Sequence, residues 1–112
     1  MADKSESTIR NEIALYLGSL PDWLVHRINV GRARAFDDPS RVIDFGPPKG
    51  TADLICCCRG KFVAIEVKTT TGRQRPEQIA YEKAVNSRNG IYILARSVED
   101  LVIQLRHHGL ID

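Results

Sequence analysis

Two short apolar runs joined by Arg59-Gly60 constrain the fold of this chain more than any other feature. The runs occupy residues 51–58 and 61–68, and each carries apolar side chains at neighbouring positions. A two-residue linker that ends in glycine favours a tight β-hairpin, because glycine readily adopts a positive φ. Strands that are apolar on both faces are usually central strands, covered from both sides. The sequence therefore predicts a central hairpin inside a covered sheet.

The same hairpin brings two carboxylates and one amine together. If Arg59 and Gly60 form the turn, the register places Asp53 directly opposite Glu66, and alternation places Lys68 on the same face. Opposed like charges destabilise a sheet, and a buried charge is costly unless it is paired or bound to a metal. The pattern therefore indicates a divalent-metal site with a catalytic cation beside it.

Length and charge limit the classes of protein to consider. The chain has 112 residues, so we expect one domain that spans residues 1–112. The net charge of +2 does not by itself indicate a nucleic-acid-binding protein. Any surface for DNA must then come from local clustering of cations.

The chain has the features of a cytoplasmic protein. Its longest unbroken apolar runs are about five residues, whereas a membrane helix needs ~20, and the first six residues form no apolar signal region. The consecutive cysteines Cys56, Cys57 and Cys58 are poorly placed to pair, because neighbouring strand residues face opposite sides. We interpret them as reduced core residues that pack as small hydrophobic side chains.

The pattern of apolar residues and breakers predicts the order αβββαβα. The predicted elements are a helix at 5–19, a strand at 23–30, a long connection at 31–50, the hairpin at 51–68, a polar loop at 69–75, a helix at 76–88, a strand at 91–95 and a helix at 98–108. The second hairpin strand, the helix and the next strand should form a right-handed parallel crossover. We therefore expect a mixed four-stranded sheet with helices on both faces.

The first helix offers a third carboxylate to the expected metal site. At ~100° per residue, Glu6 falls within the apolar stripe formed by Ile9, Ile13 and Leu17, whereas Glu12 lies more toward solvent. This geometry favours Glu6. The alternative is that Glu6 serves only the helix N-terminus, where an acidic side chain suits the helix dipole.

Other polar residues are candidates for contact with a phosphate. Gln78 lies in the first turn of the predicted second helix, near a helix end that favours anions. The candidates for phosphate contact along DNA are Arg27, Asn29, Arg32, Arg34, Lys49, Arg73 and Arg75. Arg27 and Asn29 share a face of the predicted strand, the others lie in loops expected to flank the site, and both positions suit phosphate contact. The alternative is that Gln78 and these residues are ordinary solvated surface groups.

Taken together, these motifs resemble a known nuclease group. Asp53 followed by Glu66-Val67-Lys68 in an αβββαβα order resembles the PD-(D/E)XK nuclease superfamily. The resemblance narrows to the short stand-alone form of the VRR-NUC (virus-type replication-repair nuclease) family and covers residues 5 to about 105. The motifs that carry it are Glu6-x-x-Ile9, Arg27-x-Asn29-x-Gly31, Gly50-x-x-Asp53, Glu66-x-Lys68 and Gly72-Arg-x-x-Pro-Glu-Gln78. One departure is Ala52, where the superfamily name records a proline.

The resemblance implies a Mg²⁺- or Mn²⁺-dependent deoxyribonuclease. Asp53, Glu66 and the carbonyl of Val67 would bind the metal, which suits hard cations that prefer oxygen ligands. Glu6 would add a carboxylate. Lys68 would orient the attacking water or stabilise charge on the phosphate, and Gln78 would contact the phosphate or that water.

The resemblance also implies a substrate and an assembly. Stand-alone members are associated with cutting branched DNA such as four-way (Holliday) junctions, as homodimers, and in DNA repair in bacterial or phage-infected cells. From the residues themselves, an exposed apolar helix face around Leu101, Leu105 and Leu110 could form the dimer interface; the alternative is that these leucines belong to the core. The alternatives are a nuclease that acts on duplex, flap or end substrates, and a module of the same fold that binds DNA without cutting it.

Overall fold

The computed structural model describes residues 3–112, so Met1 and Ala2 of the predicted domain lie outside the described residues. The helices and strands are, in chain order, α1 Glu6–Gly18, β1 Trp23–Arg27, β2 Gly31–Arg34, β3 Val42–Phe45, β4 Leu54–Cys58, β5 Lys61–Val67, α2 Pro76–Ser87, β6 Ile91–Ala95 and α3 Val98–His107. One sheet contains four strands in the order β1-β4-β5-β6, and β2 pairs with β3 in a separate two-stranded sheet.

The predicted central hairpin is present, with its turn at Arg59 and Gly60. Both residues have positive φ, 51° and 82°, as a type I′ turn requires. The ladder runs from Cys58 opposite Lys61 to Leu54 opposite Ile65, so the expected register is confirmed. β1 is antiparallel to β4, and β6 is parallel to β5. The predicted mixed four-stranded sheet, with a helix between its parallel strands, is therefore confirmed.

Helices cover the central strands from both sides. Ile13 of α1 and Leu101 of α3 pack with Ile65 in the larger core, on one face of the sheet. On the other face, Val85 of α2 packs with Ala64 in a smaller cluster. This two-sided cover explains why β5 is buried from Val63 to Val67. It also means that the end of β5 is a poor place for charges without a functional reason.

The leucines expected to form an exposed dimer face are core residues. Leu101 and Leu105 are completely buried and Leu110 is 3% exposed. All three belong to the cluster that α1, α3 and the sheet build together. The prediction of a dimer interface at these positions was wrong. The helical spacing of the leucines marks burial inside one chain equally well, and a sequence pattern cannot separate the two.

The long connection predicted for residues 31–50 contains β2 and β3. These strands pair from Gly31 opposite Phe45 to Arg34 opposite Val42, and we call residues 31–46 the arm. The strand predicted at 23–30 ends earlier, at Arg27. Beyond that point the Ile28 N–H donates to the Asp53 carbonyl at 2.9 Å. The arm therefore begins beside the segment that carries Asp53.

The cysteines occupy two different environments. Cys56 and Cys58 are buried and Cys57 is exposed, and all three are free thiols. Burial raises the pKa of Cys56 to about 12, which keeps this thiol protonated and unreactive. The interpretation as small core residues therefore holds for Cys56 and Cys58 and is wrong for Cys57. Within residues 3–112, no helix combines the length and the apolar character needed to cross a membrane.

Candidate metal centre and nucleic-acid cleft

Asp53 and Glu66 meet where the two central strands end. Asp53 lies in a bend one residue before β4, and Glu66 is the last residue but one of β5. The carboxylate oxygen Oδ2 of Asp53 accepts a hydrogen bond from the Val67 N–H at 2.8 Å. Continuing the ladder by one pair beyond Leu54 and Ile65 places Asp53 opposite Glu66. The structure thus brings the two predicted carboxylates together at one end of the sheet.

The approach of the chain to Asp53 depends on Gly50. This residue has a φ of +96°, and a side chain there would come within 2.4 Å of the Glu77 carbonyl oxygen. Glycine therefore allows the segment before β4 to pass directly against the first turn of α2. The same close approach brings that turn, which carries Gln78, to the end of β5.

Glu66 is a buried acid held by a glutamine. Its side chain is 2% exposed, and its Oε1 accepts a hydrogen bond from Gln78 Nε2 at 2.7 Å. The Oε1 of Gln78 accepts in turn from the Arg75 N–H at 2.8 Å, which fixes the orientation of the amide. Gln78 therefore contacts the acid itself, a partner that its position in the sequence did not reveal.

The environment of Glu66 disfavours its charge. The pKa of Glu66 is raised to about 9, mainly by burial, then by the hydrogen bond and the charge of Asp53, with a smaller contribution from the charge of Glu6. Lys68 acts in the opposite direction and lowers this pKa. Two carboxylates in one buried site repel each other unless a cation or a proton stands between them. The site is therefore arranged to gain from a bound dication.

Lys68 lies directly after β5 and is 6% exposed. Its N–H donates to the Ala95 carbonyl at 3.1 Å, so the parallel ladder holds its backbone. Among residues 3–112, none of the ion pairs closer than 4 Å includes Lys68. A buried ammonium without a carboxylate partner is costly, which fits a role in charge stabilisation better than a role in folding.

The structure separates the two carboxylates of α1. Glu6, the first residue of the helix, is half-buried and is close enough for its charge to raise the pKa of Glu66. Glu12 forms an ion pair with Lys4 at 2.9 Å. The preference for Glu6, drawn from helix geometry, agrees with this arrangement.

Arg10 is a site residue that sequence reasoning missed. Its Nη1 lies 3.3 Å from Asp53 Oδ1, with the two side chains 32% and 18% exposed. A signal was present, since Arg10 lies one helical turn after Glu6 and therefore on the same side of α1. A single arginine in a helix that also carries surface charges does not stand out without the fold.

The donor set fits a hydrated hard cation and not a zinc-type cluster. Across residues 3–112 no three histidine, cysteine, aspartate or glutamate side chains group tightly enough to hold a metal ion by themselves. Mg²⁺ commonly takes one or two carboxylates and completes its shell with water and substrate phosphate oxygens. Asp53 and Glu66, with the neighbouring Val67 carbonyl, match that requirement.

A cleft of about 840 Å³ opens beside the carboxylate pair. Its walls include Arg10, Arg27, Asn29, Thr51 and Asp53. The Arg27 guanidinium also donates to the Asn11 side chain, which links α1 to the end of β1. Cationic and amide groups beside an acidic pair suit a polyanion that must approach a metal.

The remaining candidates for phosphate contact fall into two groups. Arg73 and Arg75 are exposed in the loop before α2, and neither belongs to an ion pair among the described residues. Arg32 pairs with Asp44 at 2.8 Å and Lys49 approaches Glu77 at 3.7 Å, while Arg34 donates to the Pro39 carbonyl at 2.8 Å. The second group already has partners, so the loop before α2 is the better phosphate surface.

Comparison with known proteins identifies a solved structure with a similar fold. Among solved structures, one described as "VRR_NUC domain" matches with a TM-score of 0.55 over 92% of this chain and 91% of its own, at 19% identity. The chain has the fold of a VRR_NUC domain. No protein-family model matches the sequence, and no curated protein matches it. The likeness to the VRR_NUC domain confirms the resemblance seen in the sequence at the level of the fold.

Glu66→Gln should stabilise the metal-free protein at alkaline pH. The folded protein retains a proton on Glu66 that the unfolded chain releases, so the free energy of unfolding falls as the pH rises from 4.5 to about 9. Glutamine keeps the oxygen that Gln78 contacts and does not ionise. The gain at the upper end of this range should be about 1–2 kcal/mol, or several degrees in Tm.

Thermal melts in EDTA across this pH range measure the effect. Glu99→Gln, at an exposed position of α3, is the matched control and should keep the pH dependence of the wild type. If Glu66→Gln melts with the same pH dependence as the wild type, Glu66 does not carry the raised pKa.

Proposed function

We propose that this protein is a metal-dependent DNA endonuclease of the VRR-NUC family, within the PD-(D/E)XK superfamily, that hydrolyses phosphodiester bonds in branched DNA. One observation carries the proposal: half-buried Asp53 and buried Glu66 form an acid pair, with Lys68 after it, and Asp53 lines a cleft that also contains Arg27 and Asn29. The fold shared with a VRR_NUC domain supports it.

The residues divide the chemistry among them. Asp53, Glu66 and the Val67 carbonyl hold Mg²⁺ or Mn²⁺, and Glu6 adds negative charge from α1. The ion, when bound, supplies Lewis-acid activation of the phosphate and lowers the pKa of water. Lys68 stabilises the charge that develops on the phosphate. Gln78 keeps the Glu66 carboxylate in one orientation through its two hydrogen bonds.

The DNA backbone runs past the cleft and the loop before α2. Arg27 and Asn29 would contact phosphates in the cleft, and Arg73 and Arg75 would contact them at the loop. The exposure of Arg73 and Arg75, without ion pairs among residues 3–112, supports this assignment. Contacts of this kind position the duplex and carry no sequence information.

A homodimer would supply the two cuts that a four-way junction requires, since each chain carries one such site. The arm supports this part of the proposal, because Phe36, Val42, Ile43 and Phe45 are all more than 40% exposed. Its arginines and aspartates balance, and a surface that is apolar and electrically neutral suits a protein partner better than DNA. Sedimentation velocity that gives twice the chain mass of 12.5 kDa would support the dimer, and the monomer mass would refute it.

The decisive experiment compares a labelled four-way junction with a linear duplex of the same sequence. In Mg²⁺ we expect paired cuts near the branch point of the junction and no cuts in the duplex, with no cleavage of either substrate in EDTA. Equal cutting of both substrates would support a nuclease activity and exclude a preference for the junction. Tight binding without cutting in Mg²⁺ or Mn²⁺ would instead indicate a module that binds DNA and does not hydrolyse it.

A further inference from the structure

Arg10 lies next to Asp53, a carboxylate that would bind the metal. Its Nη1 lies 3.3 Å from Asp53 Oδ1, and the second oxygen of that carboxylate, Oδ2, accepts from the Val67 N–H at 2.8 Å. Each Asp53 oxygen therefore already has a donor. A carboxylate oxygen can accept more than one ligand, so the competition comes from charge: the Arg10 guanidinium opposes a dication at the same carboxylate.

The two donors differ in how easily they can leave. The Val67 N–H belongs to the backbone at the buried end of β5, and its direction is set by the sheet. Arg10 contacts Asp53 through the end of a long side chain that is 32% exposed. An ion pair of this kind is weak, because solvent screens it and the side chain loses freedom when it forms. The arginine is therefore the donor that a dication displaces.

The cleft beside Asp53 can accommodate the displaced guanidinium. Arg10 lies on the wall of the cleft that also contains Arg27, Asn29 and Thr51, on the side where Asp53 opens to solvent. A guanidinium carries five donors in a planar fork, which matches the oxygens of a phosphate group. After leaving Asp53, the guanidinium would remain within the cleft that Asp53 also lines.

We infer that Arg10 is the counter-ion of Asp53 in the metal-free protein, and that metal binding releases it to bind a phosphate of the DNA. This role rests on the proposed nuclease function and deepens it. Arg10 couples the two ligands, because the metal frees the group that the polyanion then uses. It does not take part in the exchange of bonds at phosphorus.

Metal affinity without DNA tests the first half of the inference. Removing a competing cation should strengthen Mn²⁺ binding, so Arg10→Ala should bind Mn²⁺ about 2- to 5-fold more tightly than the wild type in calorimetry. A purely structural role, in which Arg10 only holds Asp53 in place, predicts weaker binding instead. Arg106→Ala, at an exposed position near the end of α3, is the control and should bind as the wild type does.

DNA affinity tests the second half. Fluorescence anisotropy in Ca²⁺, with the DNA checked to be intact, should show weaker binding by Arg10→Ala and a salt dependence reduced by about one phosphate contact. Arg10→Lys keeps the charge and should recover part of the DNA affinity, because lysine contacts phosphate as a single point charge. An unchanged salt dependence in Arg10→Ala would overturn the phosphate contact.

The two proposals can fail separately. If the wild type cuts DNA but Arg10→Ala binds Mn²⁺ more weakly, the inference about Arg10 fails and the nuclease stands. If the wild type binds Mn²⁺ and Arg10→Ala binds it more tightly, yet no DNA substrate is cut, the counter-ion role stands without the nuclease. If the wild type binds no Mn²⁺ at all, both fail.

Discussion

Asp53→Asn is expected to reduce DNA cleavage by about 10³-fold or more. Loss of one group that stabilises transition-state charge costs about 10²–10³-fold, and in the proposed mechanism Asp53 would hold the ion that supplies both the activated water and the charge stabilisation. Asparagine keeps an oxygen for the Val67 N–H, so the bond of 2.8 Å at the end of β5 can persist. The fold should therefore survive while Mn²⁺ binding is lost.

The cleavage assay needs a control for the Asp→Asn change itself. Asp22→Asn makes the same substitution at an exposed residue between α1 and β1 and should leave the rate unchanged. Single-turnover cleavage of the four-way junction in Mg²⁺ gives the rates, and circular dichroism confirms that both variants fold. Cleavage by Asp53→Asn at a rate near that of the wild type would exclude Asp53 as a metal ligand.

Lys68→Met is expected to lower the rate of the chemical step by about 10²–10³-fold and to leave metal binding in place. Methionine retains most of the apolar stem of a side chain that is 6% exposed, so the loss is confined to the ammonium. Removing a cation next to Glu66 should raise the pKa of this acid further, since Lys68 lowers it in the wild type.

Rates measured at saturating enzyme separate this effect from weaker DNA binding. Lys83→Met removes an exposed lysine of α2 and is the matched control. A variant at position 68 with a normal single-turnover rate would mean that the buried ammonium serves the fold and not the reaction.

The paired carboxylates were predictable because a hairpin turn converts sequence distance into register. Once Arg59 and Gly60 are assigned to the turn, each residue before it has one partner after it, and Asp53 must approach Glu66. The observed ladder obeys this rule as far as Leu54 and Ile65. Alternation along β5 similarly places Lys68 on the face of Glu66.

Features that depend on contacts between distant segments were not predictable. Arg10 meets Asp53 from a separate helix, and Gln78 meets Glu66 because Gly50 lets the chain pass close to α2. Neither contact follows from the periodicity of its own segment. The arm was missed for a different reason, since its strands are only four residues long and lie in a segment whose glycine, proline and aspartate content is typical of loops.

We propose that Asp53 and Glu66 hold a catalytic dication at the end of the central hairpin. The most direct test is the anomalous diffraction of crystals soaked in Mn²⁺. We expect one peak per chain between the two carboxylates, within bonding distance of the Val67 carbonyl, at about 2.0–2.2 Å from its oxygen ligands. Well-diffracting crystals with no peak between Asp53 and Glu66, or with the ion bound elsewhere on the chain, would contradict it.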